Sequence, residues 1–352
     1  MARIFLLSLL PLFLASCTPK DSALSDKPLF TGQEMIFETQ LQTIALGSCN
    51  RQDLPQTIWP LIAQQQPDVW IWLGDNIYAD TEDMEEMRAM YLKQKYDTAY
   101  TAFRSKIPVL GIWDDHDYGV NDGGKDFGPK AASRDLMLDF LDVPADAAVR
   151  QREGGYQSYV FGPDDKQVKI ILLDGRYFRD ELQANPDKST RYLRNETGDI
   201  LGEAQWQWLQ SELQDSKAKV HLIACGIQML AEEQVFEKWA NFPTARKRLL
   251  DLLSTLQPSN TVLLSGDRHI SELAAIQLPN WEQPLYELTA SGMTHAYEGA
   301  TAEPNQYRIG ALVNQKNFAL LQLDWSGEAP VITAVVKGLD NSDLLRYQLK
   351  TN

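Results

Sequence analysis

Cysteine and histidine are scarce in this chain. Its 352 residues include three cysteines and four histidines. Three cysteines are too few for a disulfide scaffold, and four histidines are too few for a centre of two metals built mainly from imidazoles. Basic residues are also in deficit, because 33 Lys and Arg stand against 48 Asp and Glu and leave a formal charge of −15. Phosphate backbones repel such a chain, so we expect no nucleic-acid partner.

Long apolar runs are missing after the first residues of the chain. Residues 4–14 form an almost unbroken apolar run behind Arg3, too short for a bilayer, which needs about twenty residues. The run ends in LASC at 14–17, a pattern typical of a bacterial lipoprotein signal, in which cleavage precedes Cys17 and the cysteine is acylated. The alternative is an ordinary signal peptide cut near Ser16, with Cys17 incidental.

This N-terminal pattern sets the expected domain boundaries. Residues 1–16 are predicted as a lipoprotein signal peptide, 17–32 as the acylated N-terminus and a polar tether, and 33–352 as one catalytic domain. Acyl chains would hold the protein at a membrane without a transmembrane helix. Because Thr18 rather than Asp follows Cys17, the periplasmic side of the outer membrane is favoured over the inner membrane of a bacterial envelope. We predict no protein partner.

Strand and helix patterns alternate from residue 41 onward. Apolar strands are predicted over 41–46, 68–73, 107–113, 168–173, 220–224 and 261–264, and helices over 57–66, 83–96, 203–214 and 244–256. This alternation is typical of an α/β fold in which helices cover parallel strands. Four later strand patterns have few helices between them and predict a second, more antiparallel sheet; they span 285–289, 318–324, 331–336 and 344–349.

Polar residues follow each of the six apolar strands. Ligands bind beyond the carboxyl ends of strands in open α/β sheets, so the six ends predict one site. Asp75 follows the second strand, where a carboxylate either binds a cation or caps the next turn. Asp267 and His269 follow the sixth, and their spacing lets both face one side of an extended segment. Cys49 follows the first, either as a thiol ligand or as a small apolar residue of the core.

The third strand ends in the densest acidic cluster, DDHDYG at 114–119. Three acids around His116 are unfavourable to bury unless a cation neutralises them; the alternative is a solvated acidic loop. His116 beside a cation is suited to protonate a leaving group. Arg176 follows the fourth strand and is a candidate phosphate ligand, because its planar fork matches phosphate oxygens. Its alternative role is a surface ion pair with Asp174 or Asp180.

Taken together, these segments resemble the metallophosphoesterase superfamily and, within it, the alkaline phosphatase D (PhoD-like) family. GSC at 47–49 stands where the superfamily has Asp-x-His, and GD at 74–75 matches directly. DDHD at 114–117 and GDRH at 266–269 replace the superfamily's Gly-Asn-His-Asp/Glu and Gly-His-x-His, as in the PhoD-like family. The match covers roughly residues 40–350 in the right order. It implies an α/β/β/α sandwich of two mixed β-sheets flanked by helices.

The resemblance also implies a centre of two metals, most simply Fe³⁺ and Ca²⁺, with Zn²⁺, Mn²⁺ or Mg²⁺ as alternatives. The implied ligands are Cys49, Asp75, Tyr78, Asp115, Asn121, Asp267 and His269. Thiolate and phenolate suit the ferric or zinc ion, and Asp and Asn oxygens suit the harder second ion, with Asp75 bridging the two. Which of Asp115, Asp117 and Asn121 contacts a metal stays open, as do site roles for Gln228 and His295.

The predicted activity is metal-dependent hydrolysis of phosphate esters, as an alkaline phosphatase or phosphodiesterase. Two cations would clamp the phosphoryl oxygens and activate water. Arg176 would neutralise phosphate charge, and His116 would assist the leaving group. One alternative is a non-catalytic lipoprotein that binds phosphate or a phosphopolymer on the same fold. Another is a sulfatase, but Cys49 lacks the Cys-x-Pro-x-Arg context that those enzymes use.

Overall fold

The computed structural model describes residues 22–351. Eight α-helices lie in this part of the chain: α1 (Ser22–Ser25), α2 (Trp59–Gln64), α3 (Met84–Lys95), α4 (Thr98–Arg104), α5 (Asp115–Tyr118), α6 (Lys130–Phe140), α7 (Gly202–Gln214) and α8 (Pro243–Leu256). The strands are β1 (Thr43–Gly47), β2 (Val69–Leu73), β3 (Val109–Ile112), β4 (Gln157–Phe161), β5 (Val168–Leu172), β6 (Val220–Ala224), β7 (Thr261–Ser265), β8 (Ser271–Ile276), β9 (Leu285–Ala290), β10 (Arg308–Val313), β11 (Asn317–Asp324), β12 (Val331–Gly338) and β13 (Asp343–Gln348).

The first sheet has six strands in the order β13-β12-β11-β1-β2-β3. β1, β2 and β3 are parallel, whereas β11, β12 and β13 add to the β1 edge as antiparallel strands. The expectation that the C-terminal strands form a sheet of their own is therefore wrong for these three. The physical reason is that β1 has a second edge after pairing with β2, and β11 satisfies the backbone groups of that edge.

The second sheet has seven strands in the order β10-β8-β9-β7-β6-β5-β4. Its centre, β5-β6-β7-β9, is parallel, and the outer strands β4, β8 and β10 are antiparallel to their neighbours. β9, which the sequence pattern placed with the antiparallel group, pairs in parallel with β7. The sequence pattern did not predict the three outer strands β4, β8 and β10.

Residues along the second sheet alternate between two hydrophobic layers. Ile170 and Leu222 belong to a core cluster shared with the strands of the first sheet. Ile171 and Ile223 belong to a second cluster with α7 and α8, for example with Leu209. Because successive strand side chains point to opposite faces, one face of this sheet packs on the other sheet and the opposite face on helices. The predicted α/β/β/α sandwich is confirmed.

The outer face of the first sheet is covered through a cluster of aromatic rings. Trp59 of α2 lies 5.1 Å from Trp70 and 5.2 Å from Trp72 between ring centroids, and Tyr100 of α4 lies 4.7 Å from Trp59. The Trp72 indole N–H also donates to the Tyr100 hydroxyl at 3.0 Å. These large buried rings attach two helices to β2 and hold that strand in place at the centre of the parallel segment.

The N-terminal predictions fall mostly outside the described residues. The predicted signal peptide and Cys17 lie there, so they and the domain boundaries stay predictions. Within residues 22–351, no helix combines the length and apolarity that crossing a membrane requires. The described end of the predicted tether contacts the rest of the protein: Thr31 and Gly32 donate backbone hydrogen bonds to Asp142 at 2.6 and 2.9 Å.

Candidate metal centre

The carboxyl ends of the parallel strands in both sheets meet at one end of the sandwich. Three groups of potential ligand atoms lie there, each within 4.8 Å: Cys49, Asp75 and His269; Asp75, Asp115 and His116; and Asp114, Asp115 and Asp267. Cys49 follows β1, and its Sγ lies 2.9 Å from the hydroxyl of Ser291, which follows β9. This contact between the sheets brings together residues that are 242 positions apart in the chain.

Tight turns direct these side chains inward. Cys49, Asp75, Asp267 and His269 all have positive φ angles, of 61°, 51°, 64° and 54°. Left-handed backbone is unfavourable for non-glycine residues by about 1–3 kcal/mol each and is concentrated at functional sites. A Cβ on Gly74 would collide with Asp114, so the turn before Asp75 requires glycine. The surrounding fold therefore holds four candidate ligands in strained positions.

The first predicted ligand set is assembled around the Asp75 carboxylate. The Cys49 Sγ lies 3.3 Å from Asp75 Oδ2, and the Tyr78 hydroxyl donates to the same oxygen at 3.0 Å. The Tyr78 oxygen is also 3.0 Å from Nε2 of His269. Thiol, carboxylate, phenol and imidazole thus converge on one position, as the resemblance implied. Among the loop residues at 266–269, His269 is the one beside Tyr78.

The second predicted set adjoins the first through Asp75. Asp115 and Asp267 have carboxylate oxygens within one group of potential ligands, together with Asp114, which the sequence interpretation did not single out. Asn121 lines one surface cleft together with Asp115 and Asp267. Its side-chain amide donates to Asp122 Oδ2 at 2.7 Å. The resulting cluster of oxygen donors has the chemistry that a hard cation prefers.

Asp117 stabilises the turns of the site. Its carboxylate accepts backbone hydrogen bonds from Asp114 at 2.7 Å and Asp75 at 3.1 Å. It also accepts from the Asn76 side chain at 2.6 Å. These donors occupy its oxygens, and it belongs to none of the three ligand groups. Of the residues left open by the sequence, Asp117 therefore positions the strand ends, while Asp115 and Asn121 face the cleft.

Negative charge is concentrated in this buried centre. Burial raises the pKa of Asp75 well above its usual range, and Cys49 and Asp115 raise it further. Burial likewise raises the pKa of Cys49 to about 11 and that of Asp267 to about 6. Among residues 22–351, Asp75 Oδ1 and Asp114 Oδ2 are buried without a hydrogen-bond partner. Unsatisfied carboxylate oxygens among mutually repelling acids fit a bound cation, which would restore their charged forms.

His116 lies at the cleft beside Tyr78. The two rings stack with centroids 4.1 Å apart, and Nδ1 of His116 lies 2.8 Å from Oδ1 of Asp80. Burial opposes protonation of His116, but the Asp80 hydrogen bond and the nearby Asp75 and Asp115 carboxylates raise its pKa to about 10. The contact with Asp80 favours the protonated imidazole, the form that a general acid requires.

Arg176 lies beneath the cleft with a fully buried side chain. Its Nε donates to Asp114 at 2.6 Å and its Nη1 to Glu237 at 2.6 Å, so its ion pairs are buried and do not involve Asp174 or Asp180. Its Nη2 has no hydrogen-bond partner within residues 22–351 and lies 4.0 Å from Asp115 Oδ1. A direct phosphate contact of Arg176 stays a prediction; the observed contacts stabilise the acidic cluster.

Of the residues whose site roles the sequence left open, His295 lies at the site and Gln228 lies away from it, as does His221, the remaining histidine of the chain. The His295 ring lies 4.3 Å from that of His269 and 5.1 Å from that of Tyr78, so it joins the centre. Gln228 donates to Glu272 at 2.8 Å and to Thr289 at 2.9 Å within a buried polar network. His221 bonds to a loop at the opposite end of its strand.

A cleft of about 330 Å³ opens above the candidate ligands. Its lining includes Asp115, His116, Asn121, Asp122, Arg191, Phe236, Asp267, Arg268, His269 and Tyr297. The sequence interpretation missed Arg191, Phe236 and Tyr297, which come from loops with no metal or phosphate motif. Asp80 was also missed, although its position five residues after Gly74-Asp75 placed it near the site.

Two mixed β-sheets with an acid-rich centre at their strand ends are the features expected of a metallophosphoesterase. Within that class, the chain belongs to the PhoD-like phosphatase family, whose model matches residues 44–329. The metal dependence of PhoD-like phosphatases agrees with the donor set assembled here.

Individual relatives agree with this assignment. The chain is 24% identical over 280 residues to alkaline phosphatase D of Bacillus subtilis (strain 168), an alignment of 65% of this chain and 46% of that protein. The chain thus spans about half the length of this curated relative. Its fold is similar to the solved structure of PhoD, with a TM-score of 0.65, 17% identity, and coverage of 90% of this chain and 72% of that one.

A second solved structure shares the fold at lower identity. It is GAP50, described as the anchor in the inner membrane complex of Plasmodium, with a TM-score of 0.57 and 12% identity. The match covers 89% of this chain and 90% of that chain. At these identities the two structural matches establish the shared sandwich architecture.

Proposed function

We propose that this protein hydrolyses phosphate esters with the help of two bound metals. The main observation in support of this proposal is the donor set around Asp75. Cys49 and Tyr78 contact Asp75 there, and the Asp115 and Asp267 carboxylates lie close by. A proton donor, His116, stands in the same cleft. The family match and the curated relative support this chemistry.

The two ligand types suit two different metals. Cys49, Tyr78 and His269 offer the thiolate, phenolate and imidazole that favour a ferric or zinc ion, whereas Asp115 and Asp267 offer oxygens for calcium, magnesium or manganese. Asp75, which shares one group of potential ligands with Cys49 and His269 and another with Asp115, would contribute to both metals. When bound, such metals supply charge stabilisation for the phosphoryl group and lower the pKa of water.

The chain's own residues would position and protonate the ester. Asp80 holds Nδ1 of His116, which leaves Nε2 to donate a proton to the departing ester oxygen. Arg176 keeps Asp114 ion-paired and lies close to Asp115. Burial opposes ionisation of Asp115, but Arg176 and His116 lower its pKa. This carboxylate is therefore ionised and available to a cation.

The decisive experiment measures metal content and hydrolysis on the same preparation. Purified protein supplied with iron and calcium should hydrolyse a p-nitrophenyl phosphomonoester or diester and lose activity to a chelator. The substitution His116→Ala should lower kcat by roughly 10²–10⁴-fold while metal content is unchanged. A metal-loaded protein that hydrolyses neither ester would exclude the enzyme and leave a phosphate- or phosphopolymer-binding protein on the same fold.

We further propose that the protein is a lipid-anchored component of the bacterial envelope. The support is the apolar run at 4–14 followed by LASC at 14–17. In the native host, the full chain should label with radioactive palmitate and sediment with membranes. The Cys17→Ser variant should lose the label. A wild-type chain that takes up no label would contradict the anchor and leave an ordinary signal peptide.

A further inference from the structure

The cleft above the candidate metal centre has a lining of two chemical types. Asp115, Asp267 and His269 contribute polar groups, and Phe236 and Tyr297 contribute aromatic rings. A volume of about 330 Å³ is within the range of pockets that bind organic molecules and is larger than a phosphoryl group requires. The aromatic part of the lining is therefore available to the organic part of an ester.

Both rings are held in place by the surrounding structure. Their centroids are 6.3 Å apart and their planes are nearly perpendicular, at 86°. The guanidinium of Arg268 lies 4.3 Å from the Phe236 ring centre and is ion-paired with Glu303. The backbone N–H of Tyr297 donates to the His269 carbonyl at 2.7 Å. Tyr297 is thus tied to a candidate metal ligand, although the residue is 45% exposed.

We propose that Phe236 and Tyr297 form a subsite for a planar ring carried by the substrate, so that the enzyme acts on small phosphate esters of nucleosides. This inference rests on the proposed phosphoesterase function. Arg268 lies over the Phe236 ring, so the exposed part of the Tyr297 ring is the main surface on which a planar group can pack. Bases stack on aromatic side chains with little dependence on base identity.

Charge restricts the substrate to a small molecule. The chain has a formal charge of −15, which repels long polyanions. Arg191 is 49% exposed at the cleft, 5.9 Å from the Phe236 ring and 3.5 Å from Asp122. This local cation lies beside the aromatic pair, where a single nucleotide can use it. A nucleoside monophosphate or its simple diester matches this arrangement.

The test compares esters that differ only in the base. Adenosine 5′-phosphate is paired with ribose 5-phosphate, and the 5′-methyl phosphodiesters of both form a second pair. Both members of a pair have a primary 5′-oxygen of ribose bonded to phosphorus, so the chemistry at phosphorus is matched. Affinity is measured by calorimetry in the metal-loaded His116→Ala variant, which turns over slowly, and kcat/KM is measured in the wild type.

We expect the base to improve affinity and kcat/KM by about tenfold, the scale of base stacking on one aromatic ring. Tyr297→Ala should abolish most of this ratio, whereas Tyr297→Phe should retain it. Phe236→Leu should reduce it with the metal content intact. The control Phe37→Ala removes a ring that is equally exposed, at 45%, but absent from the cleft lining, and should retain the ratio.

The outcomes separate the subsite from the activity. Equal affinities for the two members of each pair would overturn the subsite, even in a protein that hydrolyses p-nitrophenyl esters. A base preference in binding with no hydrolysis of any ester would retain the subsite and contradict the phosphoesterase. A ratio that persists in both Tyr297→Ala and Phe236→Leu would also overturn the proposal, because the base would bind elsewhere.

Discussion

Nδ1 of His116 lies 2.8 Å and 2.9 Å from the two carboxylate oxygens of Asp80. Asp80 has a left-handed backbone with φ of 46°, and its own amide donates to the His116 carbonyl at 3.3 Å. The two residues are therefore linked through both side chain and backbone. This pairing orients the imidazole and favours its protonated form.

Replacement of Asp80 by Asn should weaken the proposed general acid. The neutral amide favours the imidazolium less, so the pKa of His116, which is raised to about 10, should fall. Because the acid must be protonated, the alkaline limb of the kcat/KM profile should move to lower pH, and kcat/KM should fall about tenfold. Glu82→Gln, at an exposed neighbouring position, is the control. An unmoved alkaline limb in Asp80→Asn would argue that His116 is not the acid.

The two buried thiols should respond differently to serine substitution. Cys49 and Cys225 are both free and buried, but only Cys49 belongs to a potential ligand group. Cys49→Ser should lower the content of the thiophilic metal, iron or zinc, because a hydroxyl is a much weaker ligand than a thiolate. Cys225→Ser should keep the wild-type content. Metal analysis by mass spectrometry checks this, and equal loss in both variants would indicate a general folding defect.

Loss of the buried guanidinium should destabilise the fold. Arg176→Met leaves Asp114 buried without its ion-pair partner and Glu237 paired with Arg179 alone, which should lower the free energy of unfolding by about 3–5 kcal/mol. The matched control is Arg346→Met, where a half-exposed side chain pairs with Asp343 and less than about 1 kcal/mol is expected. Urea unfolding measures both. Similar values for the two variants would contradict the structural role assigned to Arg176.

His221 should make stability depend on pH. Its Nδ1 lies 2.9 Å from the Ser259 carbonyl and its Nε2 2.8 Å from the Ser216 hydroxyl, an arrangement that suits the neutral ring. Burial lowers its pKa below the usual 6.5, although the Ser259 bond opposes this. The contribution of the neutral ring to the free energy of unfolding is therefore complete above about pH 6.5. It is lost as the pH falls below this value.

The measurement for His221 is urea unfolding at about pH 8 and about pH 5.5. The wild type should lose more unfolding free energy between these values than His221→Gln, which has no titrating ring at this position. Parallel losses in the two proteins would show that other groups cause the acid sensitivity.

The buried parallel strands were the most predictable part of the fold. β5, β6 and β7 are enclosed on both faces, so their sequences are mostly apolar and local pattern recognises them within one or two residues. Helix α4 was missed, although Asp97 accepts hydrogen bonds from Ala99 and Tyr100 and is a recognisable N-cap. The pairing of β11 with β1 was missed, because an apolar strand pattern does not name its partner.

The candidate site was predictable where short motifs follow strands. Cys49, Asp75 and His269 could be grouped because the ends of parallel strands meet at one sheet edge. The positions of Phe236 and Tyr297 could not, because they lie in loops whose local sequence has no metal or phosphate motif. Arg176 was expected near phosphate, but its neighbour Glu237 is 61 residues away, and a single local segment contains no information about that pairing.

The sequence by itself determined the secondary structure of the core, the family and the chemical types of the candidate ligands, because these depend on local pattern and on residue identity at strand ends. The tertiary structure decided which groups are buried together. It paired Arg176 with Asp114 of the acidic cluster, joined His116 to Asp80, and packed the Phe236 and Tyr297 rings perpendicular to each other in the cleft lining. Charge, burial and contact at these positions depend on distances between segments far apart in the chain, which only the folded arrangement of the two sheets defines.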